Sequence, residues 1–191
     1  MTGVPTDALA IRTADVGDAT AIAAIGQVAF PAVHDSIIGP EATASVVEQT
    51  YSIDALTACI TRCATGNDAH FLVADEGGRV VGYLHYDCDG AKPELHRIYV
   101  APDRERSGIG SALLRELHAR LSPGTTYVLL VAEQNTAARA FYERQGFVLV
   151  ARVIGQEYYA EAMGIELDPV PDGYDDSALV LGFTVPDRKV L

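Results

Sequence analysis

Between Glu94 and Leu121 the hydrophobic period changes once, and that change constrains the fold more than any other feature of the chain. Glu94 to Val100 alternates like a strand. Ala101 to Ser107 is rich in turn formers, and the pair Gly108-Ile109-Gly110 follows. Ile109 to Leu121 then repeats as a helix, with Leu113, Leu114, Leu117 and Leu121 on one side. A strand feeding a helix through a glycine turn brings unpaired helix N–H groups to the end of a sheet. Such a terminus carries partial positive charge, and glycines let its amides approach an anion. Taken alone, Gly-x-Gly serves a plain β-turn-α connection equally well. No Gly-Lys-Ser/Thr follows it, and the third glycine of a dinucleotide fingerprint is missing.

The rest of the chain alternates in type. Leu9 to Arg12 reads as a strand. Asp15 is placed to cap a helix whose apolar positions are Ile22, Ile25, Val28 and Ala29, and Pro31 and Gly39-Pro40 are expected to break it. Helix is predicted again from Glu41 to Ala64, interrupted near Tyr51-Ser52. Phe71 to Ala74 and Val80 to Tyr86 form a hairpin about Glu76-Gly77-Gly78. Tyr127 to Ala132 is a strand, Asn135 to Gln145 a helix, and Phe147 to Ile154 and Ala178 to Val185 the last strands. The order β-α-α-β-β-β-α-β-α-β-β implies an α/β fold with a partly antiparallel sheet.

The chain has 191 residues, 49% of them hydrophobic, which suits one domain over 1–191. No run approaches the roughly 18 apolar residues of a membrane span, so no membrane partner is expected. Met1 to Ala10 lacks the pattern of a secretory signal. The cysteines, Cys59, Cys63 and Cys88, are odd in number, which fits a reducing cytoplasm better than a disulfide framework. Cys59 and Cys63 have no partner at ligand spacing, so no metal is expected. The net charge is −12, from 14 Lys and Arg against 26 Asp and Glu. That disfavours nucleic acid and favours a cationic partner.

Leu95-His96-Arg97-Ile98-Tyr99-Val100-Ala101-Pro102, with Arg106-Ser107-Gly108-Ile109-Gly110-Ser111-Ala112-Leu113-Leu114, resembles the acyl-CoA signature of the GNAT superfamily of N-acetyltransferases. A later block, Asn135-Thr136-Ala137-Ala138-Arg139-Ala140-Phe141-Tyr142-Glu143-Arg144-Gln145-Gly146-Phe147, is similar to that superfamily's other signature. The resemblance implies a single-domain, mixed, mostly antiparallel sheet of about seven strands flanked by helices. It implies acetyl-CoA as co-substrate. Backbone groups of Ile98, Tyr99 and Val100 would meet the pantetheine arm. The amides of Arg106, Ser107, Gly108, Ile109, Gly110 and Ser111 would hold the pyrophosphate, with side-chain charge from Arg104 and Arg106. Asn135 would bond the pantetheine, beside Ala138 and Tyr142. Glu105 departs from the usual Gln or Arg and is expected to face solvent.

Acetyl transfer needs a neutral amine, although alkyl ammonium groups titrate at ~10.4. Glu94 is the candidate base and His96 the alternative, both expected on one strand face with Ile98 and Val100. A solvated carboxylate and a structural histidine are the plainer readings of the two. Tyr142 is the candidate acid for the departing thiolate, on one helix stripe with Asn135 and Ala138, while Phe141 packs inward. The Ile98 N–H is expected at the oxyanion. The resemblance puts acceptor choice in Phe30 to Tyr51, with His34, Asp35, Glu41, Glu48 and Tyr51, and in Gln156 to Asp176, with Glu157, Tyr158, Tyr159, Glu161, Asp175 and Asp176. The expected acceptor is a small-molecule primary amine. Pro40-Glu41-Ala42 to Ser52 is loosely similar to spermine/spermidine acetyltransferases, which makes a polyamine one choice. A protein N-terminal acetyltransferase and a non-catalytic acyl-CoA sensor are the alternatives. Leu179 to Val185 either pairs across a homodimer or lies inside the sheet.

Overall fold

The computed structural model describes residues 8–65, 69–87, 93–155, 157 and 173–186. Cys88, Tyr158, Tyr159 and Glu161 lie outside them. Strand β1 (Leu9–Thr13) leads to helices α1 (Ala19–Ile38), α2 (Pro40–Thr50) and α3 (Ile53–Thr65). Then come β2 (His70–Glu76), β3 (Arg79–Asp87), β4 (Glu94–Val100), α4 (Ile109–Arg120), β5 (Thr126–Ala132), α5 (Thr136–Arg144), β6 (Val148–Ile154) and β7 (Ser177–Thr184). One seven-stranded sheet runs in the order β1-β2-β3-β4-β5-β7-β6. Every pairing is antiparallel except β4 with β5. This is the mixed, mostly antiparallel α/β sheet expected.

Alternation within the strands sorts two cores. Leu72, Leu84, Leu95, Tyr127 and Leu181 pack with Leu113, Leu114 and Leu117 of α4 on one face. Phe71, Val73 and Tyr83 pack on the other with Ile22, Phe30, Leu56 and Ile60 from α1 and α3. β7 lies between β5 and β6, so the Leu179 to Val185 run is interior and β6 forms the edge.

Four expectations for α1 and its approach need correction. Pro31 does not break the helix, which continues to Ile38. A proline inside a helix costs about 3 kcal/mol, but Phe30 and Ile37, on either side of it, are both buried. Burying two such side chains stabilises by a comparable or larger amount. The helix ends at Gly39 (φ 88°), and Pro40 opens α2 at its first turn. Val28 is not a core position and is 56% exposed. The inner stripe runs instead through Ile22, Ala23, Ile25, Gly26 and Phe30. Asp15 caps the short 3-10 turn Val16–Asp18 ahead of α1 rather than α1 itself, accepting from Gly17 N–H at 2.8 Å. The segment Val16–Ile38 is, by length and composition, long and apolar enough to cross a membrane, contrary to the sequence reading. Here its inner stripe packs against α3 and the sheet.

Candidate active site

β4 and β5 share a single registered pair, Glu94 with Val128, next to the bond from Val128 N–H to the Pro93 carbonyl (3.0 Å). Beyond it no further β4–β5 register pair forms. A cavity of about 390 Å³ is lined by Leu95 to Val100 of β4 and Leu130 to Ala132 of β5. It takes in Pro102 and Glu105 of the glycine turn, Asn135, Ala138 and Tyr142 of α5, and the second half of α1.

At the glycine turn, Arg106 and Gly108 both have positive φ (57° and 86°), and Gly108 caps α4. A Cβ on Gly108 would meet nothing within 4 Å, so it is the positive φ and not crowding that calls for glycine there. Gly110 is close to Phe141, where a Cβ would lie 3.2 Å from the ring. That contact seats α4 on α5 and accounts for the second glycine. Ile109 is buried in the core, Ser107 Oγ donates to the Arg104 carbonyl, and Ser111 Oγ accepts from Gln145 Nε2 (3.1 Å). Arg104 is not a free charge at this turn, because its guanidinium bonds the Glu76 carboxylate. Arg106 is exposed. Glu105 is exposed, as expected, but it also borders the cavity mouth.

The α5 stripe is as expected: Asn135, Ala138 and Tyr142 all reach the cavity. Asn135 Oδ1 caps α5 by accepting from Ala138 N–H (3.1 Å), which directs the amide's own N–H donors elsewhere. Tyr142 is buried against Phe141 and Phe147. Burial raises its phenol above the ordinary value, so it stays protonated, the state a proton donor needs. A helix N-terminus capped by a glycine, a strand pair parted past its first register pair and a capping amide with donors to spare suit a phosphorylated, amide-bearing ligand such as CoA.

The β4 face departs from simple alternation. His85 of β3 pairs with Arg97 and Tyr86 pairs with Leu95, so His96 is an extra residue in a bulge. Ile98 and Val100 pack with the α4 core. Glu94 and His96 instead meet Asp87 and His85, so the expected common face of Glu94, His96, Ile98 and Val100 is divided. His96 Nε2 lies 3.0 Å from Asp87 Oδ1, and its Nδ1 lies 3.7 Å from Glu94 Oε1. His96 lines the cavity, whereas Glu94, buried, sits behind it. Burial would raise the Asp87 carboxyl, but hydrogen bonds from His85 and His96 outweigh it and hold it below the ordinary range. Burial pulls the His85 imidazole down to about 4 against the pull of Asp87, which lies 3.3 Å from its Nε2. Arg97 is buried, donates to the Thr50 carbonyl (2.8 Å) and lies 4.9 Å over the Tyr51 ring.

On the acceptor side the acidic candidates fall away. Asp35, Glu41 and Glu48 are exposed on α1 and α2 and do not line the cavity. Tyr51 is buried beneath Arg97. Of that set only His34 lines the cavity. Asp176 lines it from the β6–β7 connection, while Asp175 accepts from Ser177 N–H (3.0 Å). Glu157 is not among the described lining residues. Sequence reasoning missed Asp87, Arg97 and the apolar α1 wall. The register pair of Asp87 with Glu94 was the one signal for Asp87, and it needs the hairpin alignment to be seen.

A parted strand pair, a glycine-capped helix and a cavity between them make up the candidate site. Residues 67–149 match the model of the acetyltransferase (GNAT) domain. The chain is 38% identical over 94 residues to the N-alpha-acetyltransferase RimI of Mycobacterium tuberculosis, covering 47% of this chain and 58% of that one. It is 25% identical over 139 residues to the spermidine N(1)-acetyltransferase of Thermoplasma acidophilum, covering 72% and 86%. It spans about half the length of its mycobacterial relatives (47% and 58%). Among solved structures, the PaiA N-acetyltransferase of Thermoplasma acidophilum in complex with coenzyme A superposes with a TM-score of 0.71 at 21% identity, covering 93% and 99%. YncA of Salmonella typhimurium with acetyl-CoA superposes with a TM-score of 0.67 at 21% identity, covering 95% and 96%. Residues 67–149 thus match the acetyltransferase (GNAT) domain, and the chain has the fold of GNAT acetyltransferases.

Proposed function

We propose that this protein transfers the acetyl group of acetyl-CoA to a primary amine of a small molecule, by direct attack in a ternary complex. The observation that carries the reading is the single cavity joining the α5 stripe, the parted β4–β5 edge and His96. Amides of Arg106 to Ser111 would hold the pyrophosphate, with charge from Arg106. Ile98 to Val100 and the Asn135 amide would hold the pantetheine arm. His96, the group that reaches the cavity, takes the proton of the incoming amine, directly or through water. Asp87 fixes its ring, and Glu94 at 3.7 Å supplies negative charge behind it. The Ile98 N–H holds the oxyanion, and Tyr142 protonates the leaving thiolate.

The test is thiol release from acetyl-CoA against a panel of amines. Amine-dependent release supports the reading. Tight acetyl-CoA binding with no release under any amine would instead leave a sensor, a reading that the Glu105 carboxylate at the mouth favours. The relative RimI keeps peptide N-termini on the panel, and the Thermoplasma spermidine enzyme keeps polyamines there.

A further inference from the structure

We infer that the acceptor is a monoamine carried on an apolar body, aliphatic or aromatic, rather than a polyamine. The inference rests on the transfer reading above and narrows its substrate class.

The cavity wall away from Tyr142 and Asn135 is built by α1 and α2. Its side chains include Phe30, Val33, Ile37, Ile38, Ala42 and Val46, all apolar. His34 is the one polar side chain these two helices contribute among the described lining residues. Its ring stacks on Phe30 at 3.9 Å, and its Nδ1 bonds the Phe30 carbonyl at 3.0 Å. Burial lowers its pKa, so it presents a neutral ring to the cavity. Asp35, Glu41 and Glu48 point away to solvent. Among the described lining residues the carboxylates are Glu105, at the glycine turn, and Asp176, on the β6–β7 connection.

That distribution matches one cation and one apolar body. The reacting ammonium has Asp176 and the Asp87–His96 pair to draw it in. The rest of the molecule meets hydrocarbon. A second ammonium lying along α1 would lose its hydration with no carboxylate opposite it, which is costly. A methylene in the same place is favoured, each buried CH2 being worth a factor of about 4.

The experiment compares butylamine, hexylamine, 2-phenylethylamine, 1,6-diaminohexane and spermidine. Thiol release gives kcat/KM, and calorimetry with CoA present gives the Kd of each amine. The expected result is a rise of about 4-fold per methylene from butylamine to hexylamine, with 1,6-diaminohexane at least about 10-fold below hexylamine. Equal or better use of 1,6-diaminohexane or spermidine overturns the inference and leaves the transfer reading standing. So does an absence of any chain-length trend. Chain-length-dependent binding without thiol release upholds the apolar pocket and removes the transfer reading. Failure of every amine both to bind and to react overturns the inference as well. Val33 is only half-buried, so Val33→Glu should fold, as a thermal melt would verify. It should depress kcat/KM for hexylamine by about 10-fold and spare or improve 1,6-diaminohexane. Val33→Ala, the gentler change, should reduce the gain per methylene.

Discussion

His96 Nε2 lies 3.0 Å from Asp87 Oδ1, across a strand pair in which His96 is the bulged residue. The bond fixes the imidazole at the cavity wall and sets which nitrogen carries its proton. Asp87→Asn should therefore lower kcat by about 10-fold or more and leave the KM for acetyl-CoA near its starting value. The pH profile of kcat/KM should also change, because the carboxylate that accepts from the His96 ring is gone. A merely structural Asp87 would leave that profile in place. Steady-state kinetics between pH 5 and 9 make the distinction.

His85 gives the fold its own pH dependence. Burial holds its imidazole at about 4 in the native state against an ordinary 6.5. Above 6.5 it is neutral folded or unfolded and has no effect. As pH falls from 6.5 towards 4, only the unfolded chain takes up the proton, so stability falls across that window, by about 3 kcal/mol in all. Asp87 stays ionised in both states through most of that range and does not offset the loss. His85→Gln should flatten the slope, which urea unfolding at a series of pH values would reveal.

Tyr142→Phe keeps the ring that packs on Phe141 and Phe147. The melting temperature should shift by only a few degrees. Turnover should drop by roughly 100-fold if the phenol delivers the proton to the thiolate. A variant with full kcat removes Tyr142 from that role.

Glu105 borders the cavity mouth, beside the turn proposed to hold a pyrophosphate. One like charge near a phosphate in water is worth about 1 kcal/mol. Glu105→Gln should thus tighten CoA roughly 5-fold at low salt, and the gain should shrink as salt screens it. Calorimetry at two ionic strengths would show whether the carboxylate opposes binding.

Gly26 is small for a packing reason. A Cβ there would lie 2.3 Å from Tyr51 Cδ1 and 2.7 Å from the Tyr83 hydroxyl. Both rings are buried, so neither can move aside freely. Gly26→Ala should destabilise by about 2 kcal/mol despite its better helix propensity, measured as a lower urea midpoint.

The glycine turn, the α5 stripe and the order of elements along the chain were legible because each depends on local signals: a period change, a glycine at positive φ, residues three and seven apart. What escaped depends on contacts far apart in sequence. Pro31 looks like a breaker until the burial of Phe30 and Ile37 is known. Val28 has helical spacing with Ile22 and Ile25, but the stripe is set by where Tyr51 and Tyr83 lean on Gly26. Period-two reading gave Glu94, His96, Ile98 and Val100 one face, because an inserted residue leaves no mark in the strand's own sequence. The bulge is visible only against β3. The resemblance put the carboxylates of α1 and α2 among the acceptor contacts, whereas their helix faces turn them outward.

The bulge at His96 also separates two kinds of selection on a single strand. Before it, the residues facing Asp87 can change without disturbing the hydrocarbon behind Ile98 and Val100. After it, the core residues can be exchanged without moving the imidazole. A lineage carrying this extra residue can therefore vary its proton chemistry and its stability as nearly independent traits.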